Sequence, residues 1–272
     1  MQRINHTHWH TSVNVTGPET LAGKTVFLSA DTECTATLLV DLKTFKIKKA
    51  RWEVYRGPGG PLSSSIDGLY GVEAYLGSGE DLRRAVISEG GPQALSLISE
   101  TVRGIIQAET FLFKERGFKD AKSYDDFWNR TYKNSCRYYS NLDRVSVRWD
   151  EHISGQERFS RNLYNKFKTV SVSEGAGFYY AEAGLSDSFH ELGLSMTMDK
   201  ESRAVSLAHC RLLRAPDPVC FEAADYARDL IGHKPSPSKK ETAKILGGSQ
   251  GCVHMIDLCH DLSTALATIL RW

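Results

Sequence analysis

The chain has no surplus charge of either sign: 34 Lys and Arg face 33 Asp and Glu, for a net charge of +1. So close a balance lacks the global electrostatic footprint of proteins that grip nucleic acid, membrane surfaces or polyanionic substrates. Long hydrophobic runs are missing as well. Nothing approaches membrane-spanning length, and residues 1–6 lack the apolar core of a secretory signal, so a cytoplasmic protein without a membrane partner is expected. Cysteine is sparse: the six, at 34, 136, 210, 220, 252 and 259, form no compact disulfide framework, and in a reducing compartment they are thiols or ligands.

What is present is a chain of 272 residues with 41% hydrophobic content, long enough for a substantial core that needs no staples. The stretch 189–272 is the most informative. Leu192, Leu194, Met196 and Met198 alternate with smaller or more polar residues, the period-two pattern of a half-buried strand. A polar turn at 199–202 leads to a second strand over 204–213, so the pair reads as a hairpin. Pro216 and Pro218 stop it, Asp217 can cap, and 221–230 has helical spacing that ends at Gly232. The breaker run 233–238 precedes a short helix to about Leu246, and the loop 247–251 opens a long apolar helix over 252–270.

His190, Cys220 and Cys252 thus stand at the start of a strand, of a first helix and of a last helix. They are nitrogen and sulfur donors of the kind a metal uses. At a helix N-terminus the macrodipole favours a thiolate at Cys252. Each also has a plainer reading: Cys220 and Cys252 as small buried apolar residues, His190 as a satisfied histidine at a strand end. In a regular helix His254 falls about 200° round from Cys252, on the opposite face, so it joins the same metal only if the helix begins after it and otherwise orients a ligand, carries a proton or partners Asp257. Cys259 reads as core. His6, His8 and His10 line one face if extended, and a frayed N-terminus is the preferred reading.

The order strand, strand, helix, helix, helix, with donors before the strand pair, after it and at the last helix, resembles the NifU/IscU-like iron–sulfur scaffold fold. The likeness is one of arrangement over roughly the final ninety residues. At the first ligand position this chain has Phe189-His190-Glu191-Leu192, an imidazole in place of a thiolate. The same segment is similar to a bacterial domain family of unknown function marked by a His-acidic pair, a cysteine shortly after a proline, and Gly-Cys-x-His. Those motifs stand here as His190-Glu191, Pro216 to Cys220, and Gly251-Cys252-Val253-His254.

A further pattern needs no family. Residues 32–58 lie over 190–216 without a gap, so that Leu39-Val40-Asp41 falls on Thr197-Met198-Asp199 and Arg56-Gly57-Pro58 on Arg214-Ala215-Pro216. The chain reads as two copies of one unit, of which the second keeps the donors, because Thr32, Leu62 and Ala94-Leu95 replace them. An α+β fold is expected, two pseudo-repeated units of antiparallel sheet followed by helices. Its divisions are a degenerate first copy at 1–109, an aromatic helical insert at 110–148 and the donor-bearing copy at 149–272. Rings such as Phe111, Phe118, Trp128 and Tyr139 pack the insert over the body, against another subunit in a homo-oligomer, or around a pocket. The insert has no glycine-rich basic pattern, and Asp120, Asp125 and Asp126 oppose phosphate, so nucleic acid is not an expected partner. Short alternating runs at 145–147 and 170–172 suggest strands.

The first functional reading is an enzyme with one zinc or iron ion on His190, Cys220 and Cys252, using Glu191 or His254 as general acid/base. It would carry out hydrolase or lyase chemistry on a small organic substrate, aromatic ones included. The alternative, implied by the scaffold resemblance, is a non-catalytic carrier that holds an iron–sulfur cluster or a metal on the same donors. A metal-free nucleophile at Cys252 with His254 as base requires the two side chains to meet.

Overall fold

The computed structural model describes residues 1–153 and 161–270. The fold is α+β, with nine strands and several helices among the described residues, and the strand pairs with resolved registers are antiparallel. The chain forms two compact units: residues 8–124 with 153–167, and residues 125–152 with 168–272 and 1–7.

In the first unit the strands are β1 (Gln2–Gly17, from His8 onward), β2 (Thr20–Leu28), β3 (Glu33–Asp41), β4 (Ile47–Arg56) and β5 (Leu62–Ser65), in the order β5-β4-β3-β2-β1. The N-terminus is therefore a paired strand, contrary to the expected fraying. The hydrogen bonds of β1 with β2, from His8 opposite Leu28 onward, satisfy its backbone groups. Against β2 and β3 packs the helix α1 (Gly79–Ala108), kinked where Gly91 adopts φ 73° ahead of Pro92. Cys34, Ala36, Leu38 and Val40, every second residue of β3, are fully buried.

The second unit begins with short helices: α2 (Ala121–Thr131, from Asp125 onward), α3 (Arg137–Ser140) and α4 (Trp149–Ile153). Strands follow in the order β6 (Asn162–Glu174, from Lys168 onward), β7 (Phe178–Asp187), β8 (Glu191–Asp199) and β9 (Val205–Arg214). A 3₁₀ helix, Pro218–Leu230, and the helices α5 (Lys239–Ile245) and α6 (Val253–Leu270) complete it. On β8 the expected alternation holds, with Leu192, Leu194, Met196 and Met198 each at most 3% exposed. Burying each such side chain contributes roughly 1.5–3 kcal/mol. Asp217 caps as expected, accepting the N–H of Val219 at 2.8 Å. The run 145–147 is not a strand. The carboxylate of Asp217 instead takes the N–H groups of Ser146 and Val147 at 2.8 and 3.0 Å, an anchor that a ladder partner would otherwise supply.

The hairpins β3-β4 and β8-β9 match position for position. Both have register shifts at the same two places, Glu33/Cys34 with Leu39/Val40 and Glu191/Leu192 with Thr197/Met198. In both turns an aspartate, Asp41 or Asp199, accepts from the backbone and hydroxyl of the residue three on, Thr44 or Ser202. Each turn then places a side-chain-bearing residue at positive φ, Phe45 at 55° and Arg203 at 58°. No helix among the described residues is long and apolar enough to cross a membrane.

Candidate metal centre

The corner between β7 and β8 is an Asp-Ser-Phe-His turn. Asp187 donates its backbone N–H to the His190 carbonyl at 2.8 Å, closing the hairpin. Its side chain then bends back, and Oδ1 accepts the N–H groups of Phe189 at 2.7 Å and His190 at 2.6 Å, with the His190 ring Nδ1 at 3.2 Å. This is an Asx turn with an imidazole added. Arg214, at the end of β9, holds the corner from outside by donating to the carbonyls of Asp187 at 2.6 Å and His190 at 3.2 Å.

The second wall is the start of α6. Gly251 sets it: a Cβ there would lie 1.9 Å from the Leu246 carbonyl oxygen, so only glycine allows this approach. Cys252 is left outside the helix as its capping residue, its carbonyl accepting the Ile256 N–H at 3.0 Å. His254 falls in the first turn. The opposite-face argument therefore does not apply, because it assumed that both residues lie in one regular helix. Cys252 Sγ is 3.9 Å from His254 Nδ1, and His254 Nε2 is 3.8 Å from Asp187 Oδ2.

Asp187, His190 and His254 each offer a ligand atom, and these atoms lie within 4.8 Å of one another. The two imidazole centroids are 4.0 Å apart. The side chain of Asp187 is 1% exposed and those of the histidines 17%, so the carboxylate is buried and the rings are largely sheltered. Burial alone would raise the Asp187 carboxyl, but the His190 hydrogen bond, the charges of His190 and His254 and the Phe189 N–H outweigh it. They hold that carboxyl well below the usual range. Asp187 is thus an anion at any ordinary pH, as a metal ligand or ligand-orienting group requires.

Of the residues expected from sequence, the structure brings His190 and His254 together and adds Asp187. Cys252 borders the group through His254, and Cys220 lies in the first turn of the 3₁₀ helix, outside it. Glu191 opens β8 opposite Arg214 and is likewise outside the group. Burial pushes the thiols up, Cys220 to about 12 and Cys252 to about 11, overriding the helix-end backbone N–H groups of Met255 and His254 that favour a Cys252 thiolate. Cys259 is buried core, as expected. His10, in the first unit, bonds Asn165 at 3.3 Å and stacks on Phe167 with centroids 4.3 Å apart.

Sequence reasoning missed Asp187, although a turn carboxylate three residues before a histidine is a legible Asx signature. It also missed His152, which stacks on Trp149 with centroids 5.1 Å apart. Burial, then the charges of His190 and Arg214, lower its pKa. Trp149 in turn meets Phe189 edge-on at 5.0 Å, placing an aromatic wall beside His190.

Residues 173–268 match the model of a protein family of unknown function, DUF2889. That span contains Asp187, His190, Cys220, Cys252 and His254 and excludes Cys136 and His152. A comparison with curated proteins finds no significant match.

Proposed function

We propose that the chain is a metal-dependent enzyme of hydrolase or lyase type acting on a small organic substrate, with one zinc or iron ion held by Asp187, His190 and His254. The observation that carries this reading is the convergence of one carboxylate and two imidazoles within 4.8 Å at a sheltered corner. Such an oxygen and nitrogen set suits zinc, iron or another borderline divalent ion. When bound, the ion would polarise a carbonyl or lower the pKa of a water to about 7. Asp187 orients His190, Arg214 fixes the corner, and the rings of Trp149 and Phe189 favour a substrate with an apolar or aromatic face. His254 becomes a ligand rather than a free acid/base group, and Glu191, which is not one of the three grouped residues, takes no part in this reading.

The matched hairpins support a duplication in which the first copy has lost its donors. Ser29 and Thr32 form the corner there: Ser29 N–H to Thr32 carbonyl at 2.8 Å, Thr32 N–H to Ser29 Oγ at 3.1 Å, with Arg56 donating to the Ser29 carbonyl at 2.9 Å. Those are the places of Asp187, His190 and Arg214, with hydroxyls where the donors stand.

Elemental analysis of the full chain tests the reading. One equivalent of zinc or iron that is lost in both His190→Ala and His254→Ala, with circular dichroism and melting retained, sustains it. Metal content unchanged in both variants, or no uptake on reconstitution with zinc or iron(II), overturns it. Turnover of small aromatic esters and amides should follow metal content.

A second reading is favoured by one pair of distances: Cys252 Sγ, His254 and Asp187 form a line of contacts at 3.9 and 3.8 Å, the order of a nucleophile, a base and its orienting acid. It requires a covalent acyl adduct on Cys252 in the presence of a chelator, abolished by His254→Ala, and the raised Cys252 thiol weighs against it.

A further inference from the structure

In the second unit two arginines grip main-chain carbonyls beside the candidate centre, and they use their guanidinium groups differently. Arg137, on a strap of residues 136–147, commits every arm. Its Nε donates to the Val219 carbonyl at 3.0 Å, its Nη1 to the Gln250 carbonyl at 3.4 Å and its Nη2 to Glu222, while its backbone N–H donates to the Gly251 carbonyl at 2.9 Å. Arg214 holds the Asp187 and His190 carbonyls through Nη2 alone, at 2.6 and 3.2 Å. Among the described residues its Nε and Nη1 meet no acceptor and no carboxylate, not even that of Glu191, opposite it in the ladder. Arg56, in the matching place of the first unit, clamps its corner with both arms, Nη1 to the Ala30 carbonyl at 2.6 Å and Nη2 to the Ser29 carbonyl at 2.9 Å. An unengaged guanidinium on a surface is ordinary. This exposed one differs in being pinned by the carbonyls of the two residues that carry donors, with the N–H groups of Nε and Nη1 left to bind something else.

We propose that Arg214 docks a carboxylate of the substrate, so that the centre acts on a small organic acid held by its reacting group at the metal and by its anion at Arg214. This names the substrate class of the metal centre and rests on that reading. Charge supports it. A divalent ion on one carboxylate and two neutral imidazoles keeps a single positive charge, Arg214 adds another, and Glu191 across the ladder takes one back. One carboxylate neutralises that surplus, whereas a phosphate dianion exceeds it. Geometry supports it as well, because a guanidinium already tethered to two carbonyls loses little freedom when an anion arrives.

Benzohydroxamate, whose hydroxamate seats on a metal, and its 3-carboxy and 4-carboxy derivatives are the probes, titrated by calorimetry into zinc-saturated full-length protein. In wild type at least one carboxy derivative should bind at least about tenfold more tightly than the parent, the effect of one charged hydrogen bond. In Arg214→Met, with zinc content confirmed, that advantage should vanish while the parent still binds. Equal affinities of the three probes in wild type, or the same advantage in Arg214→Met, overturns the proposal and leaves the metal centre standing. A chain that takes up no zinc and binds no parent hydroxamate removes both. Should Arg214→Met fail to fold or to hold zinc, phenylglyoxal labelling of wild type, mapped by mass spectrometry, decides. The tighter carboxy derivative should slow modification of Arg214 far more than the parent does, and equal rates at Arg214 refute the docking.

Discussion

The corner at Ser29 and Thr32 and the corner at Asp187 and His190 share one backbone. Each closes with a 2.8 Å bond between equivalent atoms, each turns a side-chain oxygen back onto the N–H three residues on, and each is held by an arginine at the end of a bulged strand. What differs is the chemistry of two side chains. The hydroxyl pair satisfies the turn and stops there, whereas the carboxylate and imidazole satisfy the same turn and keep ligand atoms to spare. Main-chain and arginine contacts therefore carry the geometry, and donors can be gained or lost on top of it.

That division can be broken at four points. The largest contrast should come from removing the donors: His190→Ala should weaken zinc binding by at least about 100-fold, while Thr32→Ala leaves it unchanged, as read by competition with a chromophoric chelator. Next come the arginines. Arg56→Met and Arg214→Met each delete charged hydrogen bonds to carbonyls and should each cost about 1.5–3 kcal/mol in urea unfolding, but only Arg214→Met should also lower metal affinity. Equal effects on metal would show that the corners are not independent carriers of function.

A graft sharpens the same point. Ser29→Asp with Thr32→His should fold, yet bind zinc far more weakly than the native centre, because α1, the helix packed on that unit's strands, has no histidine to stand as the third donor; a native-like affinity would contradict the three-ligand reading. The smallest effect concerns acid. The Asp187 carboxyl is depressed in the folded chain, so its contribution to stability is complete above the unfolded value of about 3.9 and is lost as pH falls through the folded value. In chelator-treated protein, Asp187→Asn should flatten the acid limb of the melting curve below about pH 5, where wild type continues to lose stability.

Much of the second unit is legible in its sequence. The alternation of Leu192 to Met198, the capping Asp217 and the apolar run after Gly251 report local periodicity and turn chemistry, and those survive tertiary context. His190 was read as a donor and His254 as an acid/base group, and the structure brings the two rings together. Asp187 was not singled out, because a carboxylate in a hairpin turn has the same local signature whether or not an imidazole from a distant helix meets it. The Cys252 and His254 contact depended on where α6 starts, and that start is set by a steric approach between Gly251 and the Leu246 carbonyl that no periodicity records. The strand expected at 145–147 failed because three alternating residues cannot outweigh a buried carboxylate that captures their N–H groups.

Arg137 grips the carbonyl oxygens of Val219 and Gln250 along with the carboxylate of Glu222, so substitutions at 219 and 250 leave those main-chain bonds intact, while any pull on residues 136–147 is passed along hydrogen bonds to the root of α6. A molecule that lands on that strap and lifts it would shift His254 before it touched the centre itself, which makes the outer surface of the strap a lever on whatever the corner does.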